Sequence, residues 1–273
     1  MKDLTKVRYQ KFLNALADEG LAKSTVKSYH GIIKQVIDLT LYDKVIEKDP
    51  TFKASFDGIA PKLAEDKFLE LEEILELEKR LLKDFEADMN ARVILLQLRT
   101  GMRISEVIGI TKDRILWEKR QLKVDRQWQR ETNSFIDTKN RKVRYVELSN
   151  DTIRLLRKII QLNKEEALKT GYRNDKNFLF LSKMVLYLKP VSYHTVRQKL
   201  KRYLKELKFE KADILSTHAL RHTHASRLLL EGATMEYIAE QLGDEMETVG
   251  KIYVHVMEQL RRQNKSIVDS MHG

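Results

Sequence analysis

A small set of phosphate-handling side chains runs along this chain in order and ends in a tyrosine. Arg103 lies in Thr100-Gly101-Met102-Arg103-Ile104-Ser105-Glu106, and Lys139 in Thr138-Lys139-Asn140-Arg141-Lys142-Val143-Arg144. His218 and Arg221 form a His-x-x-Arg pair, and Tyr253 follows in Ile252-Tyr253-Val254-His255-Val256. An arginine offers a rigid fork of donors that matches phosphate oxygens. Two of them from distant segments can clamp one phosphate, a lysine and a histidine can help activate it, and a tyrosine can attack it.

The spacing gives these residues a geometry. His218 and Arg221 are three apart on an expected helix, so they face the same way, and Arg103 and Glu106 repeat that relation elsewhere. Ionising a phenol of pKa about 10 at pH 7 costs about 4 kcal/mol, which adjacent arginines and a base can offset. His218 and His222 have a spacing that zinc tolerates. However, no acidic residue lies in Thr217–Arg227, and the intervening Arg221 disfavours a cation. We expect no metal and no cofactor.

Composition points the same way. The 273 residues carry a formal net charge of +11, with a third of them charged, which favours polyanionic partners and nucleic acid first. Without cysteine, disulfides and thiolate metal sites are excluded. No apolar run reaches the roughly 18 residues that span a bilayer. The opening Met1-Lys2-Asp3-Leu4-Thr5-Lys6 has no apolar signal-peptide core. A cytoplasmic protein acting at the nucleoid, with no membrane partner, is the expectation.

The elements that must position these residues divide into two groups. Apolar periodicity predicts helices at 4–19 and 23–40, then a third at 41–48 that stops before Pro50. Asp57-Gly58-Ile59-Ala60-Pro61 reads as a linker. Beyond it, helices are predicted at 69–83, 88–100 and 104–110. Alternating segments follow at Gln121–Gln129, Ser134–Thr138 and Arg144–Leu148. They predict a small antiparallel sheet with Lys139–Val143 as the turn between its last two strands. Helices return at 151–168, 192–207, 217–231, 234–242 and 246–265, with Gly232 and Gly243 placed as helix ends.

In order, spacing and flanking residues, the set from Arg103 to Tyr253 resembles the active site of the tyrosine recombinases, the phage integrase family, and specifically the integrases of phages and conjugative or integrative elements. Leu242-Gly243-Asp244 before Tyr253 resembles the family's final box. The likeness extends over nearly the whole chain. It implies a mainly α fold with a small antiparallel sheet (α+β), arranged as a two-domain C-shaped DNA clamp. Residues 1–62 would be a helical, SAM-like core-binding domain, and 63–273 the catalytic domain with a C-terminal tail helix.

The resemblance also implies function. Such an enzyme is a site-specific recombinase that cleaves DNA through a 3′-phosphotyrosine and a Holliday junction, without ATP or metal. Tyr253 would be the nucleophile, Arg103 and Arg221 the phosphate clamp, and His218 a group acting on the phosphate or the nucleophile's proton. Lys139 would protonate the departing 5′ oxygen, a kind of assistance typically worth about 10²–10⁴ in rate. Glu106 and His222 would be supporting residues. Partners would be double-stranded recombination sites, three further protomers in a tetramer on two duplexes, and an accessory directionality factor.

The chain departs from the family at Asp244, where histidine or tryptophan usually donates to the scissile phosphate. A carboxylate there would repel the phosphate unless protonated or turned away, so what Asp244 contributes to the catalytic set is open. The chain also begins directly in the core-binding part. Residues 1–12 read like a helix entered from a preceding domain, which favours a fragment of a longer integrase over a short recombinase. Met257–Met271 could place Leu260, Ile267 and Val268 on an apolar face, packed on its own domain or on a neighbouring protomer. Two other functions compete. One is a type IB topoisomerase-like enzyme, and the other a DNA-binding regulator with impaired catalysis.

Overall fold

The computed structural model describes residues 4–59, 68–138, 141–183, 186, 189–254 and 256–258. The chain forms two compact units, Met1–Leu63 and Ala64–Gly273. The fold is mainly helical with small antiparallel sheets.

In the first unit, α1 (Lys6–Asp18) and α2 (Lys23–Tyr42) pack through a small core of Tyr9, Leu13 and Val26. Thr5 caps α1 by accepting from the Arg8 backbone N–H. The helix expected at 41–48 does not form. Instead α2 runs on to Tyr42, and Lys44 then takes a φ of 55°, which no continuing helix allows. Asp49 holds a turn there, accepting from Thr51 N–H at 2.8 Å.

The expected linker is also partly structured. Ile59 bridges Ala22 in parallel, with Ile59 N–H donating to the Leu21 carbonyl and Lys23 N–H to the Ile59 carbonyl. Gly58 permits this approach. Its φ is +132°, and a Cβ there would lie 2.5 Å from the Leu21 oxygen.

The second unit is built around α4 (Met89–Thr100). Residues 91–98 of this helix are all buried, as expected of a helix enclosed on every side. The helix α3 (Leu71–Asp84) lays Ile74, Leu77 and Leu81 against it, and α6 (Asn150–Thr170), α7 (Tyr193–Glu206) and α8 (Thr217–Leu230) complete the surround. Arg92 is buried but satisfied, donating to the Phe85 and Glu86 carbonyls at 2.7 Å each. A second, smaller core joins the later part of α8, α9 (Met235–Leu242) and the helical residues 246–254, through Ala225, Leu229, Ile238, Leu242, Val249 and Ile252.

The strands differ from the sequence expectation. A short strand β1 (Ile115–Leu116) precedes them, and the segment Gln121–Gln129 breaks at Asp125 into β2 (Gln121–Val124) and β3 (Arg126–Gln129). β4 (Ser134–Asp137) pairs with β3, whereas β5 (Arg144–Glu147) pairs with β2 in the order β1-β2-β5. The hairpin turn therefore lies at 130–133. β4 and β5, expected to pair with each other, lie in different sheets. Val124 pairs with Arg144 and Arg126 with Asp137, so the two sheets part at Asp125.

Candidate active site

Arg103 sits between two helices. Gly101 ends α4 with a left-handed φ of +63°, and Arg103 is the N-cap of α5 (Ile104–Ile108). Gly101 fits because a Cβ would meet Leu242 at 2.6 Å and the His224 ring at 2.7 Å. Glu106, one turn into α5, accepts from the Arg103 backbone N–H at 2.9 Å and from Arg103 Nη1 at 3.2 Å.

Glu106 also receives Arg144 bidentately, at 3.0 Å from Nη1 and 2.6 Å from Nη2, and both side chains are buried. Burial raises the Glu106 pKa, but the hydrogen bonds and charge of Arg144, with Arg103 behind them, outweigh it and hold the carboxyl below its ordinary range. Arg144 Nε donates to the Gln241 carbonyl at 3.0 Å, tying β5 to α9. Motif spacing does not single out Arg144, yet it belongs to the site. The missed signal was strand parity, for Arg144 shares the inward face with Val146 and Leu148.

Arg221 is 1 % exposed. It lies on α8, with Nη1 donating to the Gly101 carbonyl at 2.9 Å and Nη2 to the Leu242 carbonyl at 2.7 Å. Burial pulls its pKa below the ordinary arginine value, against the opposing pull of Asp244.

Asp244 follows Gly243, the left-handed cap of α9, and joins the two arginines. Its Oδ1 accepts from Arg103 Nη2 at 2.7 Å, and its Oδ2 accepts from Arg221 Nε at 3.1 Å and is ion-paired with Nη2 at 2.7 Å. The carboxylate is thus not turned away but bridges the pair. Beside it opens a cleft of about 220 Å³ lined by Arg103, Thr138, Lys142, Arg144 and Asp244 among others. Thr138 and Lys142 flank Lys139, which lies outside the described residues.

His218 projects from the first turn of α8, exposed, and its ring meets His222 edge-on at 4.5 Å between centroids. Tyr253 is 38 % exposed on the helix 246–254, anchored by buried Val249 and Ile252. No described contact joins its hydroxyl to the arginines. Among the described residues no group of three or more His, Asp or Glu is placed to hold a metal ion. Arg103, Glu106, Arg144, Arg221 and Asp244 therefore form one connected network, with the His218–His222 pair and Tyr253 on helices that adjoin it. Two guanidiniums gripping a single carboxylate can equally grip another anion.

The phage integrase family profile matches residues 67–259, most of the chain. The chain belongs to that family. This recombinase is 25 % identical over 290 residues to a tyrosine recombinase XerC-like protein of Caldanaerobacter subterraneus, covering 98 % of this chain and 71 % of the relative. It is 26 % identical to tyrosine recombinase XerD of Staphylococcus haemolyticus, covering 93 % and 79 %. Among solved structures it shares its fold with the Tn1549 transposon integrase in complex with transposon right end DNA, at a TM-score of 0.71, 19 % identity, and 98 % and 87 % coverage. The XerH recombinase bound to difH substrate gives 0.66 at 20 % identity, covering 96 % and 70 %. This chain is accordingly a tyrosine site-specific recombinase.

Proposed function

We propose that this recombinase cuts and rejoins duplex DNA at specific sites, with Tyr253 as nucleophile. The phenolate oxygen bonds to the scissile phosphorus while the bond to the 5′ oxygen breaks. His218 takes the phenol proton, and Lys139 gives a proton to the leaving oxygen. Arg103 and Arg221 hold the phosphate and stabilise the charge that builds on its oxygens, the kind of preorganised electrostatic help that dominates many enzymes. A 5′ hydroxyl from the partner duplex then reverses the step and frees Tyr253, by way of a Holliday junction. No bond energy is lost, so no ATP is consumed.

Glu106 acts one layer out. It holds Arg103 at the N-cap of α5 and neutralises buried Arg144, which would otherwise add repulsion beside the clamp. His222 steadies His218 through the ring contact.

The observation that carries this reading is the bridge of one anion across Arg103 and Arg221, in a chain matched to the family over 67–259. The net charge of +11 suits a DNA partner, and the first unit would supply further contacts as a core-binding domain. Four protomers on two duplexes, an accessory directionality factor, action at the nucleoid and a mobile-element role belong to the same proposal. No helix among the described residues is long and apolar enough to cross a membrane.

The test is trapping on nicked duplexes that carry a candidate crossover site. A covalent protein–DNA band that Tyr253→Phe removes supports the assignment. Tight binding without an adduct sinks it in favour of a binding protein, and relaxation of plasmid without site preference favours a topoisomerase.

A further inference from the structure

We propose that Asp244 is a built-in stand-in for the scissile phosphate. In the DNA-free protein its carboxylate fills the seat between Arg103 and Arg221, holds the two guanidiniums at the spacing a phosphate needs, and yields that seat when DNA arrives. Asp244 is then a positioning residue that works through the arginines. The inference rests on reading the arginine pair as the phosphate clamp.

The donor inventory supports it. Arg221 commits Nη1 and Nη2 to the carbonyls of Gly101 and Leu242, and Arg103 commits Nη1 to Glu106 and Nη2 in part to the Gly243 carbonyl. Backbone carbonyls fix the frame, and buried Glu106 is locked by Arg144. Of the anions in the network only Asp244 can leave without unpacking the site. It offers one oxygen to each arginine, as two non-bridging oxygens of a phosphodiester would.

Both the need for the carboxylate and its freedom to leave follow from position. With no anion between them, a guanidinium that is 1 % exposed and a second one nearby repel each other across a poorly solvated gap. Asp244 is the more accessible member of its pair with Arg221, its side chain 15 % exposed against 1 %. Its backbone N–H is tied to the Ala239 carbonyl, so the main chain can stay while the side chain rotates. The adjoining cleft of about 220 Å³ gives the carboxylate somewhere to go, with Lys142 on its wall as another cation. This resolves the departure from the family pattern: a carboxylate at this position serves the empty site.

The experiment titrates inorganic phosphate against the thermal unfolding of the full chain, with chloride controls at matched ionic strength. Wild type should respond weakly, since its seat is filled. Asp244→Ala should melt lower in chloride, regain stability as phosphate rises, and saturate. An internal competitor reduces apparent affinity by the fraction of time it holds the seat. On that basis phosphate should bind Asp244→Ala on the order of tenfold or more tighter than wild type. Adding Arg103→Ala to that variant should abolish the response. If Asp244→Ala does not fold, Asp244→Asn keeps the volume, loses the charge, and gives the same readout. Equal phosphate responses in wild type and variant, or none in either, would overturn the proposal. Trapping on DNA separates the two readings: an adduct from the wild type without phosphate rescue of the variants rejects the stand-in alone. Rescue without any adduct keeps the anion seat and rejects the recombinase assignment.

Discussion

Arg221 and Tyr253 both belong to the proposed reaction, yet they are held very differently. Arg221 is 1 % exposed, and its Nε, Nη1 and Nη2 all donate to Gly101, Leu242 or Asp244. Tyr253 is 38 % exposed, and its helix is anchored through Val249 and Ile252 in the smaller of the unit's two cores. The anion seat is preorganised before substrate arrives. The nucleophile sits on an element with fewer buried contacts, the kind that opens locally at lower free energy. That division suits a reaction in which the phosphate must be gripped in one geometry, while the tyrosine has to join it, stay bonded to DNA, and leave again.

The largest expected effect separates the two directly. Tyr253→Phe should remove the covalent adduct altogether while leaving the denaturation midpoint nearly unchanged, within about 0.5 kcal/mol, as for ordinary surface positions. Arg221→Ala should remove the adduct too, but also cost about 3–5 kcal/mol, because Asp244 and two carbonyls lose a buried partner. Urea unfolding beside the trapping gel checks both. A Tyr253→Phe protein as unstable as Arg221→Ala would end the comparison.

Glu106→Gln probes the rigid half from behind. It leaves Arg144, which is 7 % exposed, without its carboxylate, at an expected cost of about 3 kcal/mol. The pH dependence carries the sign. The folded Glu106 pKa lies below its unfolded value, so its contribution is complete above about pH 4.3 and fades as pH falls through the folded pKa. Glu106→Gln should lack that most acidic part of the wild-type stability loss.

His224 gives a milder effect at higher pH. Burial beneath the α4–α8 contact is the main cause that pulls its pKa down to about 4, although its Nδ1 meets the Leu98 carbonyl at 3.2 Å. The unfolded chain protonates this ring near pH 6.5. Between pH 6.5 and about 4 the unfolded state binds more protons, so stability falls by about 2–3 kcal/mol as pH drops through that window. His224→Asn should flatten the slope there and leave the Glu106 limb below it. An unchanged slope would mean that another group carries the acid sensitivity.

What could be read from the sequence follows the same boundary between chemistry and packing. The contact of Arg103 with Glu106 was legible because the two sit three apart at the start of a helix. A helix such as α3 was legible because Ile74, Leu77 and Leu81 form one apolar face, whereas α4 is buried all round and shows the unbroken apolar run 93–96 instead. Strand pairing was not. Alternation through Gln121–Gln129 carries no mark of the break at Asp125, and it cannot say that 144–147 returns to β2 while 134–137 returns to β3. β1, with two residues, is too short to show a period. The bridge through Asp244 was also illegible, because a sequence shows that a carboxylate repels a phosphate but not that two converging arginines need an anion before DNA arrives.

The smallest effect is the one most specific to the nucleophile's side. Ile252→Val deletes one methyl from the small core, and Ile74→Val deletes the same group from the large core under α3. Each should cost about 0.5–1.5 kcal/mol globally, so total stability will barely distinguish them. Local opening should. In the large core a lost methyl is shared among α3, α4 and α7, and exchange near the tyrosine should stay at its wild-type rate. In the small core the residues left to anchor 246–254 are few, so amide exchange across 249–254 should accelerate for Ile252→Val alone, with the rate of adduct formation falling beside it. If the two variants accelerate exchange there equally, the tyrosine helix is supported by the whole unit, and the contrast between a fixed seat and a loosely held nucleophile does not stand.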